Sequence, residues 1–294
     1  MGLFDWLKGK EAGAEPEAEA PPAPAPAGRR FGLEREQMFD IERTHRLAQL
    51  FAMPREQRGA EWVEAFYDAA WFGSVELSEP QVFAGPDGFP YLRLNLPRPD
   101  TAFDSQCLAN LAAGCLDHGV GAAFFASPDD GPEAAHFVLS LGHVDSLVRY
   151  DSPDGDPIDV AESQGGSDEG AFDVERGLWS QTLVAKEAQE VLVGTPSPEF
   201  LPPHIAAALL RHLEESWGLA DPRVQLLVNT KMKPHRSLVI GRKRSEFPEG
   251  APIDDMARAL LWFLTPSRSI ILAPEEWDLA QMTPLRELAG ASRL

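Results

Sequence analysis

The sequence predicts an α+β protein made of two β-α-β-β halves with mixed or antiparallel sheets, the second extended to the ferredoxin-like order β-α-β-β-α-β. Three observations carry that expectation. Two stretches share one plan, landmark residues recur at a fixed offset between them, and the composition supplies core material for both. Of 294 residues, 44% are hydrophobic and 9% aromatic, enough to fill one large or two small domains.

The first stretch reads as a strand YLRLNLP (91–97), a helix over 104–118, a strand GVGAAFFAS (119–127), a turn near 129–132 and a strand AHFVLSLG (135–142). The second reads EVLVGTP (190–196), a helix over 203–217, DPRVQLLVNT (221–230), a turn near 233–235 and RSLVIGR (236–242). Pro97 answers Pro196 and Gly142 answers Gly241, each 99 positions on. A helix over 253–264 follows, opened by Pro252, Asp254 and Asp255 and closed by Pro266, and SIILA (269–273) completes the six-element order. Acids in the first turn suit the positive end of the helix dipole. In the first half the matching second helix is the short HVDSLVRY (143–150). Ahead of both halves, 31–72 predicts two helices separated by Pro54. Met38, Ile41, Leu47 and Phe51 stripe the first, and Trp62, Val63, Phe66, Tyr67 and Trp71 stripe the second, in core-forming spacing.

The run GTPSPEFLPPHIAAALLRHLEESWGLADPRVQLLV, followed by a hairpin to SLVIG, resembles the C-terminal domain of the SseB family, the enhanced serine sensitivity proteins of bacteria. EWVEAFYDAAWFGSVEL is similar to the opening helix and strand of that family's N-terminal domain, so the likeness spans about residues 45–275. It implies a role with no assigned catalysis and transfers no site residues.

The domain plan follows from composition shifts. Residues 1–10 read as an apolar docking peptide, with Leu3, Phe4, Trp6 and Leu7 at the i,i+3 and i,i+4 spacings of one helical face, or as a frayed start that binds nothing. So short a helix forms only against a partner or a lipid surface. Gly2 lacks the downstream Ser or Thr that myristoylation uses, and no secretory h-region is present. Residues 11–30 are an Ala/Pro/Glu linker, with five prolines and four glutamates in 11–28, expected to be disordered and extended. An N-terminal α+β domain (31–150), an acidic interdomain loop (151–178) and an SseB-like C-terminal domain (179–294) follow.

Charge and chemistry narrow the function. A formal charge of −20 disfavours nucleic acid and anionic membranes as partners. Cys107 and Cys115 sit eight residues apart, roughly 12 Å along a helix, too far for a disulfide. Two unpaired thiols suit a reducing compartment, and the cytoplasm is expected. With Phe103 and Leu111 they mark an apolar helix face, so they read as structural and not as nucleophiles. His204 and His212 are two turns apart, too distant to share a metal, and no metal or cofactor motif is present. The stretch 151–175 holds nine acids and no base, without the EF-hand order.

One segment opposes the acidic whole. Residues 231–244 carry Lys231, Lys233, His235, Arg236, Arg242, Lys243 and Arg244 and no acid. They read either as an anion site or as an edge strand guarded by cations against aggregation. A third reading has the acidic loop folding over them. The sequence leans away from an enzyme, toward a non-catalytic interaction or regulatory protein of the bacterial cytoplasm. It would dock a protein partner through its core and the tethered N-terminal peptide, with a peripheral membrane contact as that peptide's other use. The competing expectations are an enzyme site in the cleft between the halves and an anion or nucleotide binder using 231–244.

Overall fold

The computed structural model describes residues 30–32, 40–163, 171–173, 178–180, 191–229 and 234–290. The N-terminal peptide and most of the linker lie outside them. Its last residue does not: Arg30, with Phe31 and Gly32 of the N-terminal domain, is bound to the fold. Asp151 accepts the backbone N–H groups of Arg30 and Phe31 at 2.9 and 2.5 Å, and Arg30 reaches Asp68 at 2.6 Å. Phe31, 1% exposed, packs edge-on against Trp71, whose indole N–H donates to Gly32 O at 2.9 Å.

The two predicted leading helices form as α1 (Ile41–Ala52) and α2 (Ala60–Ala70). Asp40 caps α1 by accepting the Arg43 N–H. The aromatic stripe of α2 is core as expected, with Phe66 packed 4.2 Å from Phe137 and 5.1 Å from Phe124 between ring centroids. The first sheet comprises β1 (Glu76–Ala84), β2 (Pro90–Asn95), β3 (Gly121–Phe125) and β4 (Phe137–Leu139) in spatial order, with α3 (Leu108–His118) crossing between β2 and β3. β2 and β3 run parallel, while the two outer pairs are antiparallel. α3 begins four residues later than the apolar spacing suggests, with Cys107 at its cap position. β4 is likewise shorter than predicted, because Ser140 turns the chain into α4 (Leu141–Tyr150) by accepting the His143 N–H.

The acidic stretch contributes α5 (Pro157–Ser163) and a hairpin of β5 (Ala171–Asp173) with β6 (Leu178–Ser180). Then come β7 (Leu192–Gly194), α6 (Pro203–Glu215), β8 (Arg223–Val228), β9 (Arg236–Ile240), α7 (Ile253–Ala259) continued as a 3-10 turn to Phe263, β10 (Ser269–Leu272), β11 (Thr283–Pro284) and α8 (Leu285–Leu288). The second sheet runs β10-β9-β8, and the far edge of β8 is shared by β11 and β7.

The protein is therefore α+β, with the β-α-β-β-α-β order along its second half as predicted. The strand positions are not those of a split βαβ. β7 lies directly antiparallel to β8, and β9 and β10 are adjacent and parallel. The repeat is likewise one of element order alone, since the strand before the helix is parallel to the strand after it in the first half and antiparallel in the second. The connections explain this. Only Gly119 and Val120 separate α3 from β3, whereas 216–222 separate α6 from β8.

One hydrophobic core runs through both halves. α4 is the element that joins them most closely. A Cβ on Gly142 would sit 1.8 Å from Leu264 O, so the first turn of α4 lies directly on the chain entering 264–268. Gly142→Ala is expected to cost about 3 kcal/mol by urea unfolding, because backbone must move to admit it. Gly131→Ala, with nothing within 4 Å, should stay within about 0.5 kcal/mol of wild type.

Candidate functional site

The basic segment proves to be dispersed. Lys231 and Lys233, like Leu3, Phe4, Trp6 and Leu7 of the docking peptide, lie outside the described residues. His235 offers its carbonyl to the Asn229 N–H at 2.8 Å. Arg236 opens β9 and Arg242 follows its end, six residues or roughly 20 Å away along an extended strand. Arg242 lies over the Phe247 ring at 4.2 Å and donates to Trp217 O at 2.8 Å. Lys243 is the cap residue of a short turn in which its N–H donates to Glu246 at 2.9 Å, and Arg244 pairs with Asp254. The expectation of a guarded edge strand is overturned: β9 is interior, paired to β8 on one side and β10 on the other.

Among the described residues, the acidic stretch meets the basic one at Arg236. Arg236 and Arg268 both grip Asp159, at 2.6 and 2.7 Å, and both reach Asp156 Oδ2 at 3.3 Å. Arg268 is buried and also donates to Phe200 O at 2.5 Å and Tyr150 Oη at 3.1 Å. Asp159 is fully buried. Among the described residues, two cations and two carboxylates thus offset one another. Removing one member strands a buried charge, so Arg268→Ala is expected to lose about 3 to 5 kcal/mol by chemical denaturation.

The thiols are structural. Cys107 and Cys115 are 6% and 1% exposed, and burial raises both, Cys115 to about 12. His204 Nε2–H donates to the buried Asp145 carboxylate at 2.8 Å, linking α6 to α4, while His212 packs 5.2 Å from Phe89. Among the described residues, no three His, Cys, Asp or Glu side chains are grouped to hold a metal.

The candidate site is a cavity of about 390 Å³ in the cleft between the halves. β2 and the turn before it supply Asp87, Phe89 and Tyr91, while the 3-10 turn after α7 supplies Leu261 and Trp262. These elements are interlocked. Phe89 stacks on Trp262 at 4.6 Å, Trp262 Nε1–H donates to Tyr91 Oη at 2.8 Å, and Tyr91 O–H donates to Asp87 at 2.6 Å. α4 brings Ser140 and His143, and 264–268 brings Leu264, Thr265 and Arg268.

Two polar side chains on this lining have an unusual accounting. His143 is 1% exposed and Thr265 3%, yet His143 Nε2 and Thr265 Oγ1 have no hydrogen-bond partner among the described residues. His143 Nδ1 is 2.9 Å from Ser140 Oγ. Burial drives His143 down to about 4, so its imidazole is neutral at pH 7. None of these cavity residues was singled out by sequence. The one available signal was that His143 directly follows Gly142, a landmark of the repeat.

His143 has a consequence for stability. Its folded value lies below that of a free imidazole, so the unfolded chain binds more protons between about pH 6.5 and 4, and stability falls as pH drops through that window. Wild type is expected to lose about 2 to 3 kcal/mol more than His143→Gln between pH 7 and 4.5, measured by urea unfolding. Compared with known proteins, the chain matches no protein-family model, no curated protein and no solved structure, so the likeness to the SseB family rests on sequence pattern alone.

Proposed function

We propose that the chain is a non-catalytic interaction or regulatory protein of the bacterial cytoplasm. It docks a protein partner through its α+β core and the tethered apolar peptide at residues 1–10. The observation that carries this reading is the outer edge of the second sheet. Val191, Leu192 and Val193 are 37, 73 and 54% exposed, and β7 pairs among the described residues only with β8. Apolar side chains on an open edge form a template for strand addition by another chain. The tether adds a second contact whose base is anchored, since Asp151, Asp68 and Trp71 bind Arg30–Gly32.

The side chains suited to catalysis support the same reading. Both thiols are buried with their ionisation opposed. Ser140 and His143 adjoin, but through a helix-capping geometry in which Ser140 Oγ also accepts the His143 N–H at 3.2 Å, and no carboxylate orients the other ring nitrogen. The described cations of 235–244 are separated along β9 instead of converging on one anion. No helix among the described residues is long and apolar enough to cross a membrane.

The test is quantitative affinity purification from the native cell with wild type, a variant lacking residues 1–28, and Leu192→Lys. Each variant is expected to lose about tenfold of the same bound protein while its melting temperature stays unchanged, a surface substitution costing no more than about 0.5 kcal/mol. Identical partner recovery from all three would sink the proposal.

A further inference from the structure

We propose that the contact between Arg58 and His136 is an acid-sensitive latch. Protonating the imidazole frees the end of α1 and the turn after it from the first sheet, while the sheet itself stays folded. This device is independent of partner docking, because it lies in the first half and asks for no ligand.

Arg58, in the turn between α1 and α2, is 7% exposed. Its guanidinium donates on one side to carbonyls at the end of α1, Met53 O at 3.1 Å and Phe51 O at 3.2 Å. On the other side it donates to His136 O at 3.1 Å and to His136 Nδ1 at 3.0 Å. One side chain thus ties α1 to the residue that leads into β4. Aromatic rings pack around this tie. The guanidinium lies 4.6 Å from the centre of the Trp62 ring, and the imidazole stacks on Phe51 at 4.5 Å. The His136 N–H donates to Phe124 O of β3 at 2.8 Å, so the imidazole is mounted on the sheet and the guanidinium on the helical turn.

The partner fixes the tautomer. A guanidinium carries donors and no acceptor, so the Nδ1 that faces it accepts, and the hydrogen of the neutral imidazole is on Nε2. A second proton turns Nδ1 into a donor aimed at a donor and sets two positive charges side by side. Flipping the ring brings no relief, since both nitrogens of an imidazolium carry hydrogen. Among the described residues, the charged groups that act on the ring are Arg58 and Arg55 from the turn and Asp130 from the loop between β3 and β4. Burial first, and then the two arginines, hold the imidazole down to about 4 against the opposing pull of Asp130. Once the latch is open the ring regains an ordinary value of about 6.5. The open form therefore binds more protons between about pH 6.5 and 4, and opening is favoured as pH falls through that window.

The experiment uses the full chain and follows hydrogen exchange by mass spectrometry over 49–58 and 121–125 at pH 6.5 and 4.5, corrected for the intrinsic pH dependence of exchange. Protection of 49–58 in wild type is expected to fall about 40-fold between the two, and at pH 4.5 this segment should exchange at least about tenfold faster than β3. His136→Gln keeps an amide oxygen to accept from Arg58 but takes up no proton, so its protection over 49–58 should change by less than about twofold. In wild type labelled with ¹⁵N at histidine, the His136 resonance, assigned from that variant, should show the Nε2–H tautomer at pH 7 and a midpoint of about 4. Three results would overturn the proposal: a His136 midpoint of about 6 or above, the same acid loss over 49–58 in His136→Gln, or equal protection of 49–58 and 121–125 in wild type at pH 4.5, which would mean that the segment opens only when the whole protein unfolds.

Discussion

Arg268 holds together more of this molecule than any other described side chain. Its guanidinium binds the acidic stretch at Asp156 and Asp159, the segment before α6 at Phe200 O, and the end of α4 at Tyr150 Oη, while its own backbone leads into β10. Through Asp159 it is coupled to Arg236 and hence to the first residue of β9. Desolvating four charges is costly, and the cost is met only because nearly every hydrogen-bonding direction is used. Such a cluster specifies a position more than it adds stability. It seats the start of the acidic stretch on the second sheet, and the chain on either side of Arg268 then forms one wall of the cavity.

The cavity is a consequence of how the halves meet. Gly142 allows α4 to touch the backbone at Leu264, and Trp262 reaches across to Tyr91 and Phe89. Those contacts hold the two halves apart at one place and together around it. Because the core is continuous through both halves, the cleft lies within one packed unit and not between two separate ones. His143 and Thr265 sit where the two meet, which is where neither half alone can supply a hydrogen-bond partner.

Much of the fold was legible in the sequence and much of the site was not, for one reason. Helices announce themselves locally, through Pro54, Pro252 and Pro266 and the apolar stripe of Trp62, Phe66 and Tyr67. Strand sense does not, because it depends on connections such as Gly119–Val120 against 216–222, and so the apparent repeat concealed opposite pairings. The basic run of 231–244 stood out as a composition anomaly, yet its three arginines are engaged one by one with Asp159, Phe247 and Asp254. Thr265 and His143 carry no motif. Their significance is a missing hydrogen bond, and that exists only once two distant segments are packed together.

The exposed edge of β7 and the net charge of the chain act against each other in solution. An apolar edge invites a second copy to align beside it, but each copy brings a formal charge of −20, and bringing two together works against their mutual repulsion. At ionic strengths where the Debye length is about 10 Å, that repulsion still reaches across an edge-to-edge encounter, and it fades as salt shortens the range to about 3 Å. The charge is thus a colloidal safeguard for a surface the protein leaves uncovered. It holds like molecules apart at short range.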